Sequence, residues 1–250
     1  MIDAEKIADD QVRAHLSVVL LVLTAVTGLV DAVSYLRLGH IFTANMTGNV
    51  VLLGFSLGGA GSVSIAGSLT SLGAFLVGAL VGGRLARRFE QRQHRWLTLV
   101  LLGETLLLAL GAALVLARSD AWSYGVIVAL ASSMGLQNST ARRLSIPDLT
   151  TTVLTLTLTG LAADTQFPGP TWVLVRRRLI VVATMLLGAL LGALLLHWSV
   201  AAPLVIGAAL VAMLTLSYLF VWCTVEPRTQ KHGASSAEED GRNSSRDGMA

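Results

Sequence analysis

Charge is scarce in this sequence: 13% of its residues are Asp, Glu, Lys or Arg, against 54% apolar, and the mean hydropathy is +0.69. Soluble domains average about 45–50% apolar and about 25% charged, so a water-soluble fold is excluded for these 250 residues. Cysteine is nearly absent. The single Cys223 rules out an internal disulfide and a cysteine-cluster metal site. Catalytic motifs are missing too: there is no HExxH, no G-x-S-x-G elbow, no Walker loop and no Cys or His pair at metal spacing. No enzyme, cofactor or metal site is therefore expected.

What is present is long apolar runs. A hydrocarbon core of about 30 Å needs about 20 apolar residues per helix, and six segments meet or approach that length: 16–36, 63–83, 96–117, 122–138, 179–198 and 201–222. Two others, 47–57 and 149–162, are only 11 and 14 residues long, which suits re-entrant or half-membrane pieces. The expected fold is an all-α polytopic membrane bundle. Trp96, Trp122, Trp172, Trp198 and Trp222 fall at segment ends or just before one, where an interfacial aromatic belt would put them. Residues 1–15 are polar and acidic, unlike a cleaved signal peptide, and read as a cytoplasmic N-terminal segment. Residues 226–250 have almost no apolar content and read as a disordered tail after a membrane domain at 16–225.

The basic residues set orientation. Arg84, Arg87, Arg88, Arg92 and Arg95 form one cluster, Arg142 and Arg143 a second, and Arg176, Arg177 and Arg178 a third. The positive-inside rule wants all three in the cytoplasm. Six spans with both short segments re-entrant achieve this and put both termini inside. Eight spans, the alternative, force the third cluster and both termini outside.

An internal match divides the chain into repeat one, about 16–117, and repeat two, about 122–225. Gly28-Leu29-Val30-Asp31 corresponds to Gly135-Leu136-Gln137-Asn138. The run from Ala44 to Val50 corresponds to Pro147 through Val153, and Ala74, Gly78 and Gly82 correspond to Thr184, Gly188 and Gly192. Each trio has the small-xxx-small spacing that lets membrane helices approach closely. Three crossings per repeat would make the repeats inverted, an arrangement in which paired short segments line a substrate path.

Polar residues inside such sequence mark the candidate site, because non-helical backbone at membrane depth is tolerated only inside protein or beside a wet cavity. They are Asp31, His40, Asn45, Thr47, Asn49, Glu104, Asn138, Asp148, Thr151 and Thr152. Asn45 or Thr47 can cap the first short helix, and Asp148 or Thr150 the second. Two facing helix N-termini would suit an anion or a polar neutral solute, whereas Asp148 would cancel much of that field. Glu104 is the most deeply placed acid, and intramembrane acids are functional candidates by default.

The blocks TAVTGLVDAVSYLRLGHIFTANMTGNVVLLG and LQNSTARRLSIPDLTTTVLTLTLTGLAAD resemble the YoaK-like family of uncharacterised bacterial multi-pass membrane proteins, over about residues 16–222. The resemblance implies a bacterial inner-membrane protein and carries no settled activity. The residues themselves point to a small-solute or ion transporter or channel whose path lies between the two short segments. A non-transporting scaffold or partner subunit, knit together by the same polar residues, is the alternative. Expected partners are the lipid bilayer and a small solute or ion; a homo-oligomer stays open, and nucleic acid is set aside.

Overall fold

Apolar runs of this length satisfy their backbone groups as helices when no water is at hand. The computed structural model describes residues 2–59, 63–117, 122–144, 158–159 and 171–220. Within them lie α1 (Ile2–Arg37), α2 (Met46–Leu57), α3 (Ile65–Arg88), α4 (Gln93–Ala117), α5 (Trp122–Leu144), α6 (Thr171–Leu195) and α7 (Ala201–Phe220). No strand occurs among the described residues. Five helices are long and apolar enough to cross a membrane: α1 from Leu16 onward, α3, α4, α6 from Val175 onward, and α7.

The fourth expected span, α5, is not among those five. Its 23 residues would reach about 34 Å at 1.5 Å per residue, so length is not the obstacle. Its hydropathy is lowered by Ser132, Ser133, Gln137, Asn138, Ser139 and Thr140, and the fold takes these inside. From residue 126 to 141 only Val128 is exposed. A helix shielded from lipid on nearly all sides has no need of an apolar surface. The other central helix is α1, 72% buried over its apolar window, whereas α6 is only 17% buried and turns most of its leucines outward.

The central helices run antiparallel, with Gln137 of α5 bonded to Leu23 and Thr27 of α1 and with Ala141 clustered beside Leu20 and Val181. Each is held by one outer helix running parallel to it. A methyl group at Gly28 would overlap the Met185 carbonyl oxygen and stand 2.8 Å from the Ala189 nitrogen, so α1 and α6 touch backbone to backbone. On the other side, a methyl at Gly135 would overlap the Phe75 carbonyl oxygen and stand 2.8 Å from the Ala79 nitrogen, joining α5 to α3 in the same way. Gly188 faces the Ala25 carbonyl as Gly78 faces that of Ser132. Close approach of this kind replaces the hydrophobic effect as the source of cohesion in lipid.

These contacts collect the basic residues at one end. Arg143 pairs with Glu90 at 2.9 Å, tying the end of α5 to the α3–α4 turn. Arg176, Arg177 and Arg178 precede Val181, which packs on Leu20 and Ala141 near the same end. Arg37 lies at the other end, where it donates to the Leu196 carbonyl at 3.3 Å. Trp198 is 78% exposed, as a belt residue would be, but Trp96 is 3% exposed and serves the core instead. The expected second short segment falls outside the described residues except at Leu158 and Thr159, which are helical. The proposed tail lies outside them entirely.

Candidate solute cavity

The chain leaves α1 through a reversal that left-handed backbone makes possible. Gly39 has φ 90° and His40 φ 58°, a region that costs a side-chain-bearing residue about 1–3 kcal/mol. His40 sits edge-on to Tyr35 with ring centroids 5.1 Å apart, and Tyr35 stacks on Phe42 at 4.8 Å. The aromatic sandwich turns the chain back alongside α1.

Two buried side chains then hold the returning loop. Asp31 Oδ1 accepts from the Thr43 and Ala44 amides at 3.1 and 2.9 Å. Because Asp31 lies six residues before the end of α1, the loop has re-entered by about 9 Å at the helical rise. Asn49 grips Phe42 from the other direction: its Oδ1 accepts from the Phe42 amide at 2.9 Å while its Nδ2 donates to the Phe42 carbonyl at 2.6 Å. Ser71 of α3 closes this network, donating to the same carbonyl at 2.7 Å and accepting from Asn49 Nδ2 at 3.2 Å. Side chains thus take up the Phe42 amide and carbonyl and the Thr43 and Ala44 amides of this non-helical stretch, where an apolar surrounding offers no partners.

From that depth α2 sets off toward the end it came from. Asn45 is its cap, accepting from the Gly48 amide at 3.3 Å. Ser56, at its far end, donates to the Val63 carbonyl just ahead of α3 at 3.0 Å. The helix therefore begins inside the bundle and ends where α3 begins, without running the length of its neighbours.

Beneath the start of α2 is a cavity of about 620 Å³. Asp31, Asn45, Thr47 and Asn138 line it, four of the ten candidate residues, together with Thr27, Tyr35, Phe42, Phe75 and Met185. Asn49 does not; it is the loop clamp. His40 is exposed on the reversal, and Glu104 lies inside the bundle against α5, away from the cavity. Asp148, Thr151 and Thr152 lie outside the described residues. Sequence reasoning missed Thr27, Tyr35, Phe75 and Met185. A usable signal existed for Phe75 and Met185, each of which follows the first small residue of a matched trio.

Two ionisable side chains line the cavity, Asp31 and Tyr35. Asp31 is the one carboxyl group among its described lining residues, and it stands beside the α2 N-terminus. A helix N-terminus carries roughly half a positive charge, so a full carboxylate outweighs it.

Comparisons with known proteins agree with this membrane architecture. No solved structure matches the chain. The UPF0700 transmembrane protein YoaK of Bacillus subtilis (strain 168) is 36% identical over 154 residues, which cover 60% of this chain and 68% of that protein. The family model described as protein of unknown function (DUF1275) matches residues 19–217. With most of its length covered by that match, the chain belongs to the DUF1275 family, a family of membrane proteins that includes a YoaK-like relative and has no assigned function.

Proposed function

We propose that this protein is a small-solute or ion transporter or channel, not an enzyme, and that its path runs through the cavity beneath α2. The observation that carries the reading is a space of about 620 Å³, lined by apolar side chains with Asp31, Asn45, Thr47 and Asn138 among them, and bounded by a short helix that starts inside the bundle. Discontinuous helices whose ends face a site are a recurrent device of transporters. A single carboxylate and several hydroxyl and amide groups make a small organic cation, a metal cation or a polar neutral molecule the fitting cargo.

The same reading includes two inverted repeats. In support, each central helix is held by the outer helix of the opposite half, Gly28 against α6 and Gly135 against α3, through matching positions. It also includes six spans with both termini in the cytoplasm, of a bacterial inner membrane. The gathering of all three arginine clusters at one end supports that orientation under the positive-inside rule.

Flux into proteoliposomes is the test, using sodium, potassium, small quaternary amines and small polyols, with Thr47→Trp as a variant that fills the cavity. We expect at least one solute to enter with the native chain and not with the variant. Impermeance to the whole panel, or equal flux through both, would sink the reading. One observation favours the alternative of a non-transporting scaffold: Asp31 and Asn49 are already engaged in holding the loop. A scaffold would lose folding whenever its polar residues are replaced, whereas the transport reading expects Thr47→Trp to fold and be silent.

A further inference from the structure

Glu104 is fully buried in α4, and neither of its carboxyl oxygens has a hydrogen-bond partner. Among the described residues Ser68 Oγ on α3 shares that condition, and so do two oxygens on the neighbouring helix α5, Ser133 Oγ and Gln137 Oε1. The antiparallel register brings them to one level. Gly103 lies against Leu136, Gly111 against Leu130 and Gly125 against Leu114, so Glu104 stands between the levels of Ser133 and Gln137, which are one turn apart. Three of these four oxygens are acceptors only when the carboxyl is ionised. An unpaired carboxylate in such a place is among the costliest groups a protein can bury.

Gln137 also faces the other way. Its Nε2 donates to Thr27 Oγ1 at 2.7 Å and to the Leu23 carbonyl at 3.2 Å, and Thr27 lines the cavity. We propose that Glu104 is a site for one exchangeable proton and that Gln137 relays its state to the cavity wall. With the proton present, the Glu104 hydroxyl donates to Gln137 Oε1 while Nε2 holds Thr27. When the proton passes to water, the amide turns over: Nε2 leaves Thr27 Oγ1 and the Leu23 carbonyl to donate to the carboxylate, and Oε1 accepts from the Thr27 hydroxyl, which gives up its bond to the Leu23 carbonyl at 2.9 Å. No bond other than O–H is made or broken. The relay rests on the transport reading, whereas the proton site does not.

Among the described residues no other titratable group stands at this level. On α5, Arg142 and Arg143 lie beyond Gln137 toward the basic end, where Arg84, Arg87 and Arg88 of α3 also lie, and Tyr124 is at the opposite end. On α1, Asp31 is a turn past Thr27, away from the basic end, with Tyr35 and Arg37 beyond it. Along α7, Leu204 and Gly207 meet Gly111 and Leu108, which leaves Tyr218 about two turns toward the basic end. On α4 itself, His94 and Arg95 are in the first turn.

Infrared difference spectroscopy on the full chain, carrying isotope-labelled glutamate in lipid, reads the site directly. We expect a neutral-carboxyl carbonyl band that shifts in heavy water, disappears in Glu104→Gln and moves in Gln137→Leu. The Gln137→Leu response is decisive even if Glu104→Gln fails to fold. A wild-type spectrum without the band between pH 6 and 8 (about the physiological range), or a band indifferent to both variants, overturns the proposal. Loss of the band on adding sodium at constant pH overturns it in favour of a metal-ion site. An expected band in a protein that moves no solute removes only the transport reading; solute flux without the band removes only the proton site.

Discussion

Replacing Asn49 by Asp changes almost no volume, and it isolates the polar logic of the re-entrant loop. In the native protein the amide satisfies both the N–H and the C=O of Phe42 and a hydroxyl of Ser71, at 2.9, 2.6 and 3.2 Å. A carboxylate keeps the first and loses the second, and it can accept from the Ser71 hydroxyl only if that hydroxyl leaves the Phe42 carbonyl, so two bonds are lost on balance. Each lost hydrogen bond is worth about 0.5–1.5 kcal/mol net, so about 1–3 kcal/mol disappears. The carboxylate would also face the Phe42 carbonyl, acceptor against acceptor, at a position only 1% exposed. A buried charge with no ion-pair partner costs up to about 3–5 kcal/mol, which sets the upper end of the expected loss for Asn49→Asp near neutral pH. A neutral Asp can donate to the Phe42 carbonyl again, so the folded variant favours the protonated form. Its stability therefore recovers as pH falls and is lost as pH rises, opposite to a salt-bridged carboxylate. Reversible unfolding in mild detergent, followed by tryptophan fluorescence between pH 5 and 8 (roughly the range in which the variant's carboxyl is expected to respond), measures this. A variant within about 1 kcal/mol of wild type at pH 8, or one that gains stability with rising pH, would refute the clamp.

Other perturbations follow from the same contacts. Asp31→Ala leaves the Thr43 and Ala44 amides unpaired and should cost about 2–6 kcal/mol, at about 1–3 per buried donor, whereas Asp31→Asn keeps an acceptor and should cost clearly less; unfolding midpoints of the two variants check the order. Gly135→Leu drives a side chain into the α3 backbone and should lower stability by about 1–3 kcal/mol or more. Gly83→Ala on α3 meets nothing within 4 Å and should be neutral or slightly stabilising, which makes it the matched control in the same unfolding assay. Glu90→Ala removes an ion pair whose side chains are 36% and 71% exposed, so the midpoint should move by no more than about 1 kcal/mol equivalent.

Helix existence was legible because lipid leaves an apolar run few other ways to satisfy its backbone. The first short helix was legible from length and cap: eleven apolar residues behind a capping Asn fall short of the roughly 20 that a full span takes. What hydropathy alone could not convey is why α5 is polar, since its buried Ser and Gln residues make sense only once α1, α3 and α4 surround it. The small-residue trios announced close packing but not the partner. That Gly28 meets α6 and not its own half's α3 is a property of the assembled bundle. Residue types also could not separate lining from clamping. Asn45 and Asn49 look alike in sequence and stand one turn apart, yet one caps α2 at the cavity while the other faces Ser71. Glu104 was conspicuous as an acid, but its relation to Gln137 needed the α4–α5 register.

Under the proposed function, solute passes the cavity wall at Asn138. A chain with Asn138→Cys in a Cys223→Ser background, reconstituted in liposomes, carries its only thiol on that wall. Flux of a permeant solute is recorded before and after reaction with a small cationic methanethiosulfonate, and the extent of modification is quantified by mass spectrometry. Flux is expected to collapse on modification, with the permeant solute slowing the reaction. Undiminished flux through fully modified protein would contradict it.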